Sequence, residues 1–256
     1  VTADLLPSGA RARARVITRE TAVLCGSAWF DECFHQLDAA TQIDWQAIDG
    51  DHVGAGALLC QLEGTARALV TGERTALNFL QTLSATATVT ATFVDAARGS
   101  RTTILDTRKT LPGLRAAQKY AVRAGGGSNH RHGLYDAVLI KENHIAAAGS
   151  IAAAVQRARA LHPDVLVETE VENFAELREA LAANVDRIML DEFELHELAR
   201  AVAEVGGRVP LEVSGSVALD RVRAIADTGV DFVSIGALTK HIRAIDLSMR
   251  IELVPD

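Results

Sequence analysis

The chain has 256 residues, 48% of them hydrophobic, and a formal net charge of −7. This length and apolar content suffice for one large domain or two smaller ones, each with a buried core. The acidic balance excludes a general nucleic-acid-binding protein, because such proteins need a broad positive field. Any affinity for anions therefore has to come from local clusters of cations.

Two further features indicate where the protein works. Its three cysteines all lie within the first 60 residues and show no C-x-x-C spacing, which is typical of a reduced, cytoplasmic protein. Residues 75–94 carry no charge over a length that could span a membrane, but they include six threonines. This segment is too polar for a transmembrane helix, so we expect no membrane association.

Residues 1–98 have the pattern of a separate N-terminal domain. The stretch "ARARVITRETAVLCG" alternates like a half-exposed strand, and "GDHVGAGALLCQLEG" reads as short strands separated by glycine turns. Apolar residues then recur at helical spacing from Ala76 to Val94, which predicts a long helix. Arg74 is expected in the first turn of this helix, where a cation opposes the helix dipole.

From residue 99 onward, short apolar runs alternate with amphipathic stretches. The predicted strands are "TTILD" 102–106, "AVLIK" 137–141, "VLVETEV" 165–171, "RIMLD" 187–191, "VPLEVSG" 209–215 and "DFVSIG" 231–236. The predicted helices are "SIAAAVQRARALH", "NFAELREALAAN", "ELHELARAVAEVG" and "ALDRVRAIADTG". Strand and helix in alternation predict a parallel sheet, either an α/β barrel or an open doubly wound sheet.

Chemically active residues follow every one of these six strands, which favours the barrel, since barrels carry their active sites at the carboxyl ends of the strands. They are Asp106 with Arg108 and Lys109, Lys141 with Glu142 and Asn143, Glu168 and Glu170, Asp191, Ser214 with Gly215, and Gly236.

The choice of cation gives a second indication. The chain contains 22 arginines but only four lysines, namely Lys109, Lys119, Lys141 and Lys240. Lysine carries a compact point charge, whereas arginine presents a planar fork. Lys109, Lys141 and Lys240 follow strands at the predicted active face, so we interpret them as site residues. Lys119 lies in a helical stretch and is expected to be a solvated surface cation.

Six long sequence blocks resemble the quinolinate phosphoribosyltransferase family. They are "GERTALNFLQTLSATAT", "ILDTRKTLPGLRAAQKYAVRAGGGSNHRHGLYDAVLIKENHI", "VETEVEN", "IMLDEF", "LEVSGSV" and "GVDFVSIGALTKH". The resemblance implies an N-terminal α/β sandwich domain, residues 1–98, followed by an incomplete α/β barrel of six or seven parallel strands, residues 99–256. It also implies a homodimer, with the C-terminal residues able to pack back on the N-terminal domain.

The resemblance further implies a reaction and its site residues. The reaction is transfer of the phosphoribosyl group of 5-phosphoribosyl-1-pyrophosphate to quinolinate with decarboxylation, which gives nicotinate mononucleotide, pyrophosphate and CO2. Quinolinate would be held by Arg74 from the partner subunit and by Arg108, Lys109, His130, Arg131 and Lys141. The donor would be held by Lys109, Glu170, Asp191, Ser214, Gly215, Ser216, Gly236 and Lys240. Mg²⁺ would be held by Glu170 and Asp191, and the catalytic residues would be Lys109, Lys141, Glu170 and Asp191.

Several alternatives stay open from the sequence. A related acceptor such as nicotinate would need a similar pocket, and a Schiff-base aldolase would also use a lysine such as Lys141 at a barrel strand end. A lipoyl or biotinyl carrier would need a modifiable lysine, which residues 1–108 lack. Glu192 stands where the family commonly has asparagine, and its carboxylate would either alter metal affinity or face outward.

Three histidines and one glutamate can be interpreted without a role in the reaction. His132 and His162 are expected at the surface, and His144 could be a loop residue that bonds the backbone. Glu168 could be a satisfied polar residue inside the barrel.

Overall fold

The computed structural model describes residues 1–254. The chain forms two compact units. The first comprises residues 1–91, 117–126 and the described part of the chain from 241 onward, and the second comprises residues 92–116 and 127–240. The predicted domain boundary at residues 98 and 99 stays a prediction. Among the described residues, no helix has both the length and the apolar character needed to cross a membrane.

The elements follow one another along the chain after a short 3-10 helix, Thr2–Leu5. The strands are β1 (Arg11–Thr18), β2 (Ala22–Val23), β3 (Gln42–Trp45), β4 (His52–Val53), β5 (Leu58–Thr65), β6 (Thr103–Leu105), β7 (Val138–Ile140), β8 (Val167–Val171), β9 (Arg187–Asp191), β10 (Leu211–Ser214), β11 (Phe232–Ser234) and β12 (Leu247–Leu253). The helices are α1 (Ser27–His35), α2 (Ala66–Ala96), α3 (Arg115–Ala124), α4 (Glu142–Ala148), α5 (Ile151–Leu161), α6 (Phe174–Ala182), α7 (Leu195–Val205), α8 (Leu219–Asp227) and α9 (Ala237–Lys240).

The first unit contains an antiparallel sheet in the order β12-β1-β5-β3. Residues of β1 alternate between exposed and buried, as predicted from the sequence, because successive side chains of a strand point to opposite faces. The buried face packs on the aromatic residues of α1, Phe30 and Phe34, which are fully buried. Strand β12 pairs with β1 along its whole length, from Leu247 to Leu253.

The long helix α2 begins earlier than the sequence pattern indicates, at Ala66. Arg74 therefore lies in the third turn, and the expectation that it occupies the first turn is wrong. Gly72 caused the error, since glycine usually marks a helix end. Here it is required by packing, because a Cβ at Gly72 would lie 2.8 Å from ring atoms of Phe34. No dipole argument therefore applies to Arg74.

The expectation that Lys119 is a solvated cation is also wrong. Its side chain is fully buried within the first unit. Helix α3 buries residues on more than one of its faces, namely Ala117, Gln118, Lys119, Ala121 and Val122. A charged residue of an amphipathic helix is solvated only where that side of the helix is exposed, and the side of α3 that carries Lys119 is buried.

The second unit is built on six parallel strands in the order β6-β11-β10-β9-β8-β7, with every predicted strand confirmed. The four predicted helices are confirmed as α5 to α8. Within the described residues the sheet does not close, since β6 and β7 are its two edges. This is the incomplete α/β barrel expected from the sequence, with six rather than seven strands.

The strand register places the polar residues of the barrel strands on one side of the sheet. Glu168 pairs with Arg187 and Glu170 with Met189, while Asp191 pairs with Ser214. Residues two apart on a strand share a face, so all of these side chains lie on the same face. Glu212 joins them, because its register partner is also Met189.

Candidate active site

A pocket of about 160 Å³ lies at the carboxyl ends of the second unit's strands. It gathers predicted site residues that are far apart in the sequence, namely Arg108, Lys109, His130, Arg131, Lys141, Glu170 and Ser214. A larger cavity of about 340 Å³ lies on the sheet of the first unit, but Glu63 there already pairs with Arg11 and Arg13. The smaller pocket is the better candidate, because predicted catalytic groups converge in it.

Lys141 follows β7 directly and caps the N-terminus of α4. Its Nζ lies 2.5 Å from Oε2 of Glu170, a residue near the carboxyl end of the neighbouring strand β8. The side chain of Lys141 is 44% exposed, whereas that of Glu170 is 9% exposed. The backbone N–H of Lys141 donates to Nδ1 of His144, so His144 does bond the backbone, although within a helix rather than a loop.

Arg131 and Arg108 form the cationic wall of the pocket. Burial lowers the pKa of Arg131, and the charge of Arg108 lowers it further. The guanidinium of Arg131 is fixed by a hydrogen bond from Nη1 to the carbonyl oxygen of Ala137 at 3.1 Å. The two guanidinium charges repel each other unless an anion lies between them, so this wall is suited to bind a negatively charged ligand.

His130 is 9% exposed at the base of the same wall. Its backbone N–H donates to Oδ1 of Asp106, and its Nδ1 accepts from the backbone N–H of Arg131 at 2.7 Å. Its Nε2 lies 2.9 Å from Oε2 of Glu168. Burial lowers the pKa of His130, but Glu168 and Glu212 outweigh that effect and raise it overall. The hydrogen bond that Nδ1 accepts acts in the opposite direction, because it requires an unprotonated nitrogen.

Beneath His130, two glutamates are fully buried, Glu168 and Glu212. Glu212 receives a hydrogen bond from Nη1 of Arg187 at 3.0 Å, and the guanidinium of Arg187 lies 4.2 Å from the ring centre of Phe232. Burial raises the pKa of Glu212 to about 7, and the neighbouring Glu168 adds to this. Glu168 is thus buried inside the barrel, but neither of its carboxylate oxygens makes a hydrogen bond of regular geometry within the described residues, so the expectation that it is satisfied is not confirmed.

The sequence interpretation missed Arg187 and Glu212 altogether. A signal was available, because both charges interrupt otherwise apolar barrel strands, "RIMLD" and "LEVS". Arg187 lies two residues before Met189, and Glu212 lies two residues before Ser214, and both of these later residues line the pocket. Residues two apart on a strand share a face, so Arg187 and Glu212 lie on the site face.

The loops after β6 and β11 meet at Gly236. A Cβ on Gly236 would lie 3.1 Å from Cδ of Lys109 and 3.8 Å from Cε of Lys240. Thr239 strengthens this junction, since its hydroxyl donates to the carbonyl oxygen of Lys109 at 2.8 Å. Two of the four lysines thus flank one glycine, as an anion site would require.

Gly215 and Glu192 form the rim beside Asp191. Gly215 has a φ of +123°, which side chains rarely adopt, and Glu192 has a φ of +57°. A Cβ on Gly215 would lie 3.7 Å from Oε1 of Glu192 and 4.0 Å from Oδ1 of Asp191. The carboxylate of Glu192 therefore lies on the same side as that of Asp191. Ser216 lines a small cavity of about 70 Å³ at this rim.

The pair Glu170 and Asp191 fits a magnesium ion by the chemistry of its donors. The two residues lie on adjacent strands, offset by two positions on the same face, because Glu170 is the register partner of Met189. Mg²⁺ prefers one or two carboxylates together with substrate phosphates and water. Lys141 would have to release Glu170, or share it, when the cation binds. Arg74 lies in the first unit as an exposed residue of α2.

Comparison with known families matches nearly the whole chain. Residues 1–84 match the family described as quinolinate phosphoribosyl transferase, N-terminal domain. Residues 86–250 match the family described as quinolinate phosphoribosyl transferase, C-terminal domain.

Individual relatives agree with this match. The chain is 41% identical over 252 residues to the nicotinate-nucleotide pyrophosphorylase (carboxylating) of Mycobacterium leprae, covering 95% of this chain and 88% of that protein. It is 41% identical to a probable enzyme of the same name from Bacillus subtilis, covering 94% and 83%.

Solved structures show the same fold. The nicotinate-nucleotide pyrophosphorylase of Francisella tularensis superimposes with a TM-score of 0.96 at 50% identity, covering 98% of this chain and 89% of that one. The corresponding protein of Ehrlichia chaffeensis gives a TM-score of 0.93 at 39% identity, covering 98% and 92%.

Proposed function

The chain belongs to the quinolinate phosphoribosyl transferase family, and from that premise we propose that it makes nicotinate mononucleotide for NAD biosynthesis. It transfers the phosphoribosyl group of 5-phosphoribosyl-1-pyrophosphate to quinolinate, and pyrophosphate and CO2 leave. The chain is thus a pentosyltransferase, a nicotinate-nucleotide pyrophosphorylase of the carboxylating type.

The convergence of four cations in one small pocket carries this proposal. Arg108, Lys109, Arg131 and Lys141 line about 160 Å³ together with a single carboxylate, Glu170. Quinolinate has two adjacent carboxylates, and a planar carboxylate is best recognised by the fork of an arginine. Arg108 and Arg131 supply such forks, while Lys141 supplies a point charge beside the carboxylate that is lost in the reaction.

The donor occupies the side of the pocket where Lys109 and Lys240 flank Gly236. Backbone N–H groups and small residues let a phosphate approach the chain closely, as the stretch Ser214, Gly215 and Ser216 allows. Lys109 lies on the acceptor side of this junction and reaches both substrates. Its charge is therefore placed to hold the two anions together despite their mutual repulsion.

Glu170 and Asp191 would hold Mg²⁺, which would supply positive charge against that of the pyrophosphate leaving group. The same two carboxylates face the ribose, where positive charge develops as the bond to pyrophosphate breaks. The pyridine nitrogen of quinolinate then forms the new bond to the anomeric carbon. The positively charged ring accepts the electron pair of the bond to the 2-carboxylate, CO2 departs, and a proton takes its place on the ring.

Arg74 completes the acceptor site of the partner subunit in a homodimer. It belongs to the first unit, is exposed, and forms no ion pair with any other described residue, as a cation that acts in another chain's pocket requires. In a two-fold dimer this exchange is reciprocal, so two equivalent sites form. The reduced cysteines are consistent with a cytoplasmic enzyme.

The environment of Lys141 disfavours the aldolase alternative. Schiff-base lysines need a neutral amine, which a desolvated or cationic environment provides. The carboxylate of Glu170 instead lies 2.5 Å from Nζ of Lys141 and forms an ion pair with it.

The proposal is tested by incubating the protein with 5-phosphoribosyl-1-pyrophosphate, Mg²⁺ and either quinolinate or nicotinate. Equal amounts of CO2 and pyrophosphate are expected with quinolinate, together with nicotinate mononucleotide. Pyrophosphate release with nicotinate alone would contradict the assignment of quinolinate as acceptor. Trapping of a carbonyl substrate on Lys141 by borohydride would instead support an aldolase.

A further inference from the structure

Three charged residues beneath the pocket have no assigned task in the reaction, and they surround His130, which lines the pocket. This buried cluster consists of His130, Glu168, Arg187 and Glu212. Glu168 and Glu212 are fully buried, and the side chain of Arg187 is 18% exposed. Removing charged groups from water costs several kcal/mol per ion unless they are paired and hydrogen-bonded, so such a cluster calls for a function.

The composition of the cluster suits a metal ion, because ligand atoms of His130, Glu168 and Glu212 lie within 4.8 Å of one another. Two contacts favour a network of ion pairs between protein groups over a metal ion. Arg187 already supplies positive charge to Glu212 at 3.0 Å. Nε2 of His130 lies at direct hydrogen-bond distance, 2.9 Å, from Glu168. Arg187 and His130 thus face the two carboxylates at ion-pair distance, although within the described residues Nε2 of His130, both oxygens of Glu168 and Oε1 of Glu212 make no hydrogen bond of regular geometry.

The hydrogen bonds of His130 fix which nitrogen carries the hydrogen. A backbone N–H can only donate, so Nδ1 of His130 accepts from Arg131 and has no hydrogen. The hydrogen therefore lies on Nε2, which is 2.9 Å from Oε2 of Glu168. The other nearby carboxylate oxygen, Oε1 of Glu212, is farther away at 3.5 Å. Nδ1 is thus held by the backbone, and Nε2 faces the two carboxylates.

The chain of contacts runs from the barrel interior to the cationic wall. Glu168 holds the ring of His130, the ring holds the backbone of Arg131, and the guanidinium of Arg131 lines the pocket. Asp106 anchors the same segment independently, through the backbone N–H of His130 at 2.9 Å. The position of Arg131 is thus set from two buried acids.

We propose, on the premise of the function given above, that Glu168 is a positioning residue of the acceptor site. It holds His130 in one tautomer, and His130 in turn fixes Arg131, which receives a carboxylate of the acceptor. His130 is then a strut between Glu168 and Arg131. This role is additional to the contact between His130 and quinolinate that the family resemblance implies, since His130 also lines the pocket.

Two variants separate a hydrogen-bond role of Glu168 from a charge role. Glu168→Met fills the same space but removes the acceptor. Glu168→Gln keeps a carbonyl oxygen for Nε2 of His130 and turns its N–H groups toward Glu212. The methionine variant should raise the KM for quinolinate at least about tenfold, equivalent to about 1.4 kcal/mol or one hydrogen bond. The KM for the donor should stay within about twofold, and Glu168→Gln should restore most of the quinolinate KM.

The proposed hydrogen bond between Nε2 of His130 and Glu168 is tested by NMR of protein labelled with ¹⁵N-histidine. This measurement does not depend on turnover. A slowly exchanging Nε2–H signal, absent from a His130→Asn variant, is expected in the wild-type protein and in Glu168→Gln. It should be lost in Glu168→Met.

Each result decides the proposal. An unchanged quinolinate KM in Glu168→Met overturns it, as does a Glu168→Gln variant as impaired as Glu168→Met. If Glu168→Met does not fold, as judged by circular dichroism, the wild-type spectrum still decides, because absence of the Nε2–H signal overturns the strut. A wild-type protein that shows this signal but does not convert quinolinate would contradict the proposed function alone.

Discussion

Lys141 and Glu170 neutralise each other in the absence of substrates, with Nζ of Lys141 lying 2.5 Å from Oε2 of Glu170. One of these residues is proposed to serve the acceptor and the other the metal ion. The two substrates therefore compete with an ion pair that is already formed. Breaking that pair is part of the cost of assembling the complete site.

Replacement of Glu170 by Gln should affect the two substrates in opposite ways. The variant removes one negative charge beside Lys141, so the dianionic acceptor should bind several-fold more tightly. Turnover at limiting Mg²⁺ should fall, since a neutral amide is a poor ligand for this cation. Calorimetric titration with quinolinate and a rate series against Mg²⁺ measure the two effects. Glu204→Gln, which breaks an ion pair on α7, is the control and should change neither.

Replacement of Arg131 by Ala should weaken acceptor binding selectively. Loss of one charged hydrogen-bonding group corresponds to about 1.5 to 3 kcal/mol, so the KM for quinolinate should rise roughly 10- to 100-fold. The KM for the donor should stay nearly constant. Arg159→Ala is a matched control, because Arg159 also donates to a backbone carbonyl oxygen, that of Asn184. A normal quinolinate KM would remove Arg131 from the site.

Replacement of Asp191 by Asn should shift the Mg²⁺ dependence of turnover to higher concentration. The reason is again the weaker affinity of a neutral oxygen donor for a hard cation. Rates measured over a range of Mg²⁺ concentrations test this, with the exposed Asp227→Asn as control. An unchanged Mg²⁺ dependence would assign the metal to Glu170, Glu192 or the substrate phosphates.

The buried carboxyl of Glu212 should make stability depend on pH. Burial raises its pKa to about 7 from an ordinary 4.5, so the folded protein binds this proton more tightly than the unfolded chain. The stability that the proton contributes is full below pH 4.5 and is lost as the pH rises through about 7. Glu212→Gln stays neutral, and its stability relative to wild type should therefore rise with pH across this window, by at most about 1.4 kcal/mol per pH unit.

Urea unfolding at a series of pH values measures this difference for Glu212→Gln. Glu204→Gln provides a control of opposite sign, since Arg178 lowers the pKa of Glu204. Its stability relative to wild type should fall slightly as the pH rises. A pH-independent difference for Glu212→Gln would show that the carboxyl is not the titrating group.

The proposed contribution of Arg74 across a dimer is tested by mixing two variants, each nearly inactive. If Arg74→Ala and Lys141→Ala subunits exchange, both defects can fall in one pocket of the mixed dimer and leave the other intact. Activity should then recover toward half of one wild-type dimer per mixed dimer. If Arg74 acts within its own chain, every pocket carries one defect. No recovery, with exchange verified by mass spectrometry, would contradict the shared site.

Local patterns in the sequence were sufficient for much of the fold. Every predicted barrel strand and its flanking helices exist, because period-2 and period-3.6 patterns of apolar residues are set by nearby positions. The sequence also predicts the cations of the pocket, because parallel strands bring their carboxyl ends to the same edge of the sheet. Any polar residue after such a strand, such as Lys141 or Arg108, is thereby brought to the same edge.

Contacts between distant segments were decided only by the tertiary structure. Helix α2 continues through Gly72, where Phe34 packs closely, and the burial of Lys119 depends on how many faces of α3 are covered. The 2.9 Å contact between His130 and Glu168 likewise depends on the packing of segments far apart in the chain. A sequence fixes which face of its own strand a side chain occupies, but the residue opposite is chosen by strand order and register. Those are set by the packing of the whole sheet.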